Sequence, residues 1–435
     1  MKNANRTMIV VSGCMILMSA NCVLAQDWPQ WRGPNQDGKV TGFNAPKTWP
    51  KELAQKWKAA VGSGDAAPVL VGDKLFVFAR QGEDEVTLCL NAADGTQLWQ
   101  DKNPVPAISG PDAGQHSGPR SSPAVANGKV VTLGVCGAIS CLDAASGKVL
   151  WRKDDFPGAW PKFHVAMSPI IVDGRCIVQL GKPGEGTTVA YDLATGEPKW
   201  KWTGDGPGYA SPVLLTVSGT KMIVTQTEKS VVAIAVADGK LLWQTPFEPM
   251  GMAYNAATPI VDGQTVIYCG QGRGAKAVKL EKQGDSFTGK ELWSNPDNAV
   301  QFNSPVLKNG LVYGLSAKND FFCLNAQDGK TLWTAPYSPP AAGGEGQSQD
   351  QGMGKGRGGR GMGRSAGYGS IIDAGSVLLA LTPAFQLVVF QPGDKAYTEV
   401  ARIKVADTAT YAHLVVAGNR IFVKDQDSLM LWAIE

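Results

Sequence analysis

The chain has 435 residues, 43% of them hydrophobic and 18% charged, with 52 Gly and 27 Pro. That turn-rich balance excludes a helical bundle or a disordered chain and points to an all-β globule. Net charge is +3 with both signs mixed along the sequence, which excludes the basic face of a nucleic-acid binder.

Residues 1–25 read as a secretory signal peptide: Lys2 and Arg6 precede an apolar run over 8–18, and small residues lead to Ala25. Cleavage near Ala25 predicts an exported protein, periplasmic or at the cell surface. Val11-Ser12-Gly13-Cys14 is the alternative cleavage box, and cleavage there would leave a lipoprotein anchored at Cys14. No later segment is long and apolar enough to span a bilayer. Residues 26–50 form an extended lead-in, with Trp28, Trp31 and Trp49 expected to lie against the rim of the folded body.

From there the chain repeats itself. A small polar turn ending in Gly is followed four residues later by Trp, at Gly95/Trp99, Gly147/Trp151, Gly196/Trp200, Gly239/Trp243, Gly289/Trp293 and Gly329/Trp333. Gly accepts the positive φ of a tight hairpin. The residue beside each Trp suggests a strand covered on both faces. A second signal is independent of Trp. A small residue plus Pro opens an apolar strand at Ala67-Pro68, Ser122-Pro123, Ser168-Pro169, Ser211-Pro212, Thr258-Pro259 and Ser304-Pro305, with degenerate copies at Ser370 and His413. Pro suits a first strand position, where no ladder donor is needed.

The strand-start signal gives eight units at intervals of about 40–50 residues, the mark of a propeller, and the six Gly/Trp copies agree with it once closure is considered. The last unit, 413–435, supplies three strands, and the orphan strand around Trp57 is its fourth. Pairing the termini removes the free edges. The expected fold is all-β: a single eight-bladed β-propeller of four-stranded antiparallel blades over 51–435, closed by the N-terminal strand in the last blade. A Gly/Arg-rich stretch at 338–367 cannot support a core and is expected to be a disordered loop.

Six cysteines follow the signal. Cys136 and Cys141 span one hairpin and can be read as a disulfide or as free thiols acting as small apolar residues. No Cys/His spacing suggests zinc, and no metal site is assigned.

The repeat 142–151, LDAASGKVLW, and its closer copy 191–200 resemble the tryptophan-docking repeat of pyrroloquinoline-quinone (PQQ)-type propellers. That resemblance covers about residues 50–435 and implies the fold. Two classes share it: the eight-bladed quinoprotein dehydrogenases, and non-catalytic propellers such as the lipoprotein of the outer-membrane β-barrel assembly machinery. The opening Trp28-Pro-Gln-Trp31 is also similar to secreted quinone-repeat proteins of unassigned activity. The dehydrogenases carry a vicinal Cys-Cys pair that this chain lacks.

In a propeller the segments leading into the innermost strands line the axis. Here they collect His116, Arg120, His164, Tyr209, Tyr254 and Asn255, and further on Gln301, Asn303, Tyr368, Tyr411 and His413. Such a set suits a polar-aromatic ligand funnel, or equally serves to satisfy buried backbone. The longer connections on the same face carry Phe156, Trp160, Phe163, Met250 and Met252, which either meet a partner or fold back over blade edges. The leading expectation is a monomeric, exported, non-catalytic module that binds a protein or envelope component through this face. The alternative is an alcohol or sugar dehydrogenase with PQQ and Ca²⁺ in the funnel; no cofactor is assigned otherwise.

Overall fold

The computed structural model describes residues 27–106, 108, 114, 116–251, 253–337 and 367–434. The expected signal peptide at 1–25, with Cys14, and Met252 and nearly all of the 338–367 stretch lie outside the described residues. Eight four-stranded antiparallel sheets form the eight blades of one propeller. Blades 1 to 7 span residues 69–104, 124–153, 170–203, 213–246, 260–295, 306–336 and 370–404. Blade 8 takes three strands from 415–433 and its outermost strand, Ala54–Ala60, from the other end of the chain. The expected closure by strand exchange is therefore what the protein uses.

Each Pro-opened segment begins the innermost strand of a blade, and each Trp lies on the outermost strand. The Gly and Trp of one repeat do not pack on each other. In five places the indole covers the turn glycine of the next blade. A methyl group added to Gly95, Gly147, Gly196, Gly239 or Gly329 would sit 2.5–2.7 Å from the indole of Trp57, Trp99, Trp151, Trp200 or Trp293, respectively. Gly289 also lies against the indole of Trp243, but it is not the turn glycine the sequence suggested: it sits within the outermost strand of blade 5, opposite Leu280, and has no positive φ. The indole N–H then donates to a carbonyl of that next blade: Trp151 to Leu193 at 3.1 Å, Trp200 to Val236 at 2.9 Å, Trp293 to Ala326 at 2.8 Å. Trp57 closes the ring by donating to Ala92 at 3.2 Å.

A small residue faces the Trp across the strand pair, and a register shift follows it. Cys89, Cys141 and Cys323 oppose Trp99, Trp151 and Trp333 in this way, as Ala190, Ala233 and Ala277 do elsewhere. These cysteines act as small core residues, and Cys136 and Cys141 are both free. In blade 7, Ala401 stands opposite Val389 where the others place Trp. Tyr397 packs there against Trp333, with ring centroids 5.9 Å apart.

One expectation is corrected. The Trp strand is not covered on both faces: Leu98, Leu150 and Leu292 are 48%, 42% and 43% exposed. It is the perimeter edge of its blade, so a neighbour covers only the side that carries the indole.

The blades are also linked at the axis and near its mouth. The residue before Pro supplies a hydroxyl that accepts a backbone N–H from the adjoining blade. Ala67 N donates to Ser122, Ser122 N to Ser168, Ser168 N to Ser211, and Thr258 N to Ser304, at 2.9–3.1 Å. Buried Glu85 of blade 1 accepts the N–H of Val135 in blade 2 at 2.8 Å, and burial pushes its carboxyl up to about 7.

Two outcomes follow from this packing. Trp151→Ala should lower unfolding free energy by about 3–5 kcal/mol in a urea titration, because the ring is only 7% exposed; Gly196→Ala, which drives a methyl into that ring, should also destabilise. Glu85 is protonated more readily in the fold than in the unfolded chain, so its contribution is present at acid pH and is lost as pH rises from 4.5 towards 7. Relative to Glu85→Gln, wild-type stability should fall across that window by about 1–3 kcal/mol.

Candidate functional site

The lead-in, expected at the rim, lies across the axis instead. Asp27 accepts the N–H of Gly72, and Asn44 N donates to Asn419, both at turns that follow innermost strands. Between these anchors Trp28 exchanges backbone hydrogen bonds with Leu70, Gln36 bonds Pro212 and Leu214, and Val40 N donates to Asp373. Arg32 is 2% exposed and donates to the carbonyls of Ser304, Pro305, Gln36 and Asp37 at 2.7–3.3 Å. Burial pushes its guanidinium down to about 10. Only Trp49 keeps a peripheral position, stacked on Phe43 with centroids 6.4 Å apart.

Trp31 donates from its indole to Thr258 at 2.9 Å and so forms the floor of a funnel at the opposite mouth. The funnel encloses a cavity of about 180 Å³. Its walls come from the segments that precede the innermost strands. Of the residues expected there, His116, Arg120, Tyr209, Tyr254, Tyr368 and Tyr411 line it. Asp65 and Phe302, which lie in pre-strand segments but were not singled out from sequence, also line it, as does Trp31, which was expected at the rim. Phe163, expected to face a partner, is a funnel wall as well.

His116 is held by three neighbours. Its Nδ1 is 2.5 Å from Asp65 Oδ2, its ring stacks on Tyr368 with centroids 5.4 Å apart, and Tyr411 leans on it at 4.7 Å. Arg120 donates to the carbonyl of Phe163 and, at 3.2 Å, to that of His116, tying two pre-strand segments together. The Tyr209 hydroxyl accepts the N–H of Phe163 at 3.2 Å, and burial pushes the phenol up to about 12. Tyr209 and Tyr254 meet edge to face at 90°, as do Phe163 and Tyr254 at 84°.

The other expected residues serve the scaffold. His164 stacks on Trp160, away from the funnel. Asn255 donates to Thr227 and Phe247 and accepts from Arg273. Asn303 donates to Leu315 and Gly367, and Gln301 lies against Gly367. His413 sits edge-on to Trp31 at 4.5 Å, and burial with the nearby Arg32 charge holds its imidazole well below the ordinary range. Phe156 and Trp160 fold back on the core between blades 2 and 3. Met250 is 62% exposed. It lies on the connection that helps to form a second hollow of about 310 Å³ beside the funnel, lined by Pro161, Pro183, Pro207, Pro249, Tyr209 and Tyr254, with Lys229, Glu228 and Glu248.

The sequence profile of the family described as outer membrane protein assembly factor BamB matches residues 82–335. A factor of that name from Burkholderia pseudomallei is 26% identical over 303 residues, covering 65% of this chain and 69% of its own length. Quinohemoprotein alcohol dehydrogenase from Comamonas testosteroni is 27% identical over 194 residues, which is 42% of this chain but only 26% of that protein. Its solved structure superimposes with a TM-score of 0.65, covering 94% of this chain and 80% of its own. A europium-containing methanol dehydrogenase superimposes with a TM-score of 0.69 at 12% identity, covering 94% and 98%. At such identities the likeness of structures shows the shared fold.

The funnel does not fit a Ca²⁺-quinone centre. Hard cations need several converging oxygen ligands with carboxylates among them. Asp65 is the single acidic residue of the lining, it is engaged by His116, and Arg120 stands beside it in the wall. Among the described residues no three His, Cys, Asp or Glu side chains come together to hold a metal ion.

Replacing Arg32 by Met would leave four carbonyls without that donor, Ser304 and Pro305 among them. Hydrogen bonds to a charged group contribute about 1.5–3 kcal/mol each, so the variant should unfold at distinctly lower urea. Limited proteolysis should then cut first within residues 28–44.

Proposed function

Because the chain belongs to the family described as outer membrane protein assembly factor BamB, we propose that it is an exported, non-catalytic propeller that holds a protein component of outer membrane assembly on its funnel-side loops. The observation that carries this reading is the hollow beside the funnel. Four prolines fix the backbone of its walls, so little conformational freedom is lost when a partner docks. Exposed Met250 gives its rim an adaptable apolar contact, and Lys229 with Glu248, 4.0 Å apart, gives it a polar one. No helix of the described residues is long and apolar enough to cross a membrane, in keeping with a propeller that acts beside it.

A photo-crosslinking residue in place of Met250, in cells that make the protein naturally, should trap a component of outer membrane protein assembly. Met250→Asp should weaken capture of that component by a crosslinker placed at Lys229. Crosslinks confined to unrelated abundant proteins would overturn the proposal. The matches to quinone-dependent relatives define a control: titration with PQQ and Ca²⁺ should leave quinone absorbance unchanged at micromolar concentration. Binding with alcohol-driven dye reduction would make the protein an enzyme instead.

A further inference from the structure

We infer that the axial funnel is a binding site for an uncharged saccharide ring. Aromatic rings from six successive pre-strand segments (Phe163, Tyr209, Tyr254, Phe302, Tyr368 and Tyr411) surround a cavity whose floor is Trp31. Phe163 and Tyr209 each meet Tyr254 edge to face, so these three are not stacked flush on one another, while Tyr368 stacks on His116. The face of an aromatic ring carries negative charge density and attracts the weakly positive C–H groups of a pyranose. A volume of about 180 Å³ is below the range of about 300–1,000 Å³ typical of larger ligands and suits a single ring.

The charges then select among small ligands. Asp65 and Arg120 both line the cavity, so an anionic ligand meets a carboxylate and a cationic one meets a guanidinium. A neutral ligand avoids both penalties. The polar groups that remain are of both kinds. Asp65 meets His116 through Oδ2, so its Oδ1 remains as an acceptor on the wall. Ser211, Thr258 and Ser304 bring hydroxyls to the same lining. Vicinal hydroxyls, which donate and accept in turn, match such a mixture better than any group limited to one role. This site adjoins the hollow assigned to the protein partner through the shared walls Tyr209 and Tyr254, and it does not rest on that assignment.

The test is saturation-transfer NMR on the full chain with glucose, N-acetylglucosamine, maltose and chitobiose, against benzoate and phenyltrimethylammonium as charged aromatic controls. At least one saccharide should bind with a Kd on the order of 1 mM, at least about tenfold tighter than either ion. Disaccharides that bind through one terminal ring would identify a glycan end as the ligand, and monosaccharides alone a free sugar; either supports the site. Tyr254→Leu should abolish transfer to the saccharide. Asp65→Asn, nearly isosteric, should weaken the saccharide while strengthening benzoate, an inversion that loss of folding does not produce. Tighter binding of either ion by the wild-type chain, or no saccharide signal at about 10 mM, would overturn the inference.

Discussion

The ring depends on one contact made again and again: an indole laid over the turn glycine of the next blade. A four-stranded sheet of this size cannot bury its own outer strand, so each blade uses its neighbour as cover. Glycine is required because any side chain would occupy the place of the indole, and because the turn needs a positive φ, +76° at both Gly196 and Gly239. The indole N–H finds a carbonyl in the same neighbour, so the contact is apolar over its area and satisfied at its one polar point. Such a chain of mutual cover has no natural end. Trp57, carried on the N-terminal strand of blade 8, supplies the last indole to Gly95 of blade 1 and closes it.

Closure creates a second problem at the centre, where innermost strands converge and their carbonyls face one another. Two devices meet it. Serine before proline gives hydroxyls that accept N–H groups from the adjoining blade. Arg32, a planar fork of donors, reaches four carbonyls at once from the lead-in. Its depressed guanidinium reflects the energy of burying that charge, which those carbonyls offset. With the lead-in across one end, the axis is a stoppered funnel rather than a through-channel, and Trp31 becomes its floor.

Function follows from what the funnel and its rim hold, not from the fold, which is shared with dehydrogenases as well as assembly factors. The funnel offers one carboxylate and one guanidinium amid aromatic rings. That is a poor cation cage and a reasonable seat for a neutral polar ring. The proline-walled hollow next to it presents a stiff surface of a kind suited to a macromolecule. The two sites share Tyr209 and Tyr254, so occupation of one bears on the shape of the other.

Blade number, strand exchange and the identity of the innermost and outermost strands were legible in the sequence. They rest on local chemistry: Gly in a turn, Pro at a strand start, Trp at a fixed offset. Six funnel residues were legible for a related reason, since pre-strand segments must face the axis once the blades are counted. Tertiary structure alone decided which blade receives each indole, because the Gly and Trp of one repeat are partners of different neighbours. It also decided that the lead-in crosses the axis, that His413 lies beneath the floor while Asp65 lines the wall, and that Phe163 turns inward where Met250 turns out. No local pattern carries such information. Those placements depend on which groups from distant blades converge on one point and on which of them must be satisfied there.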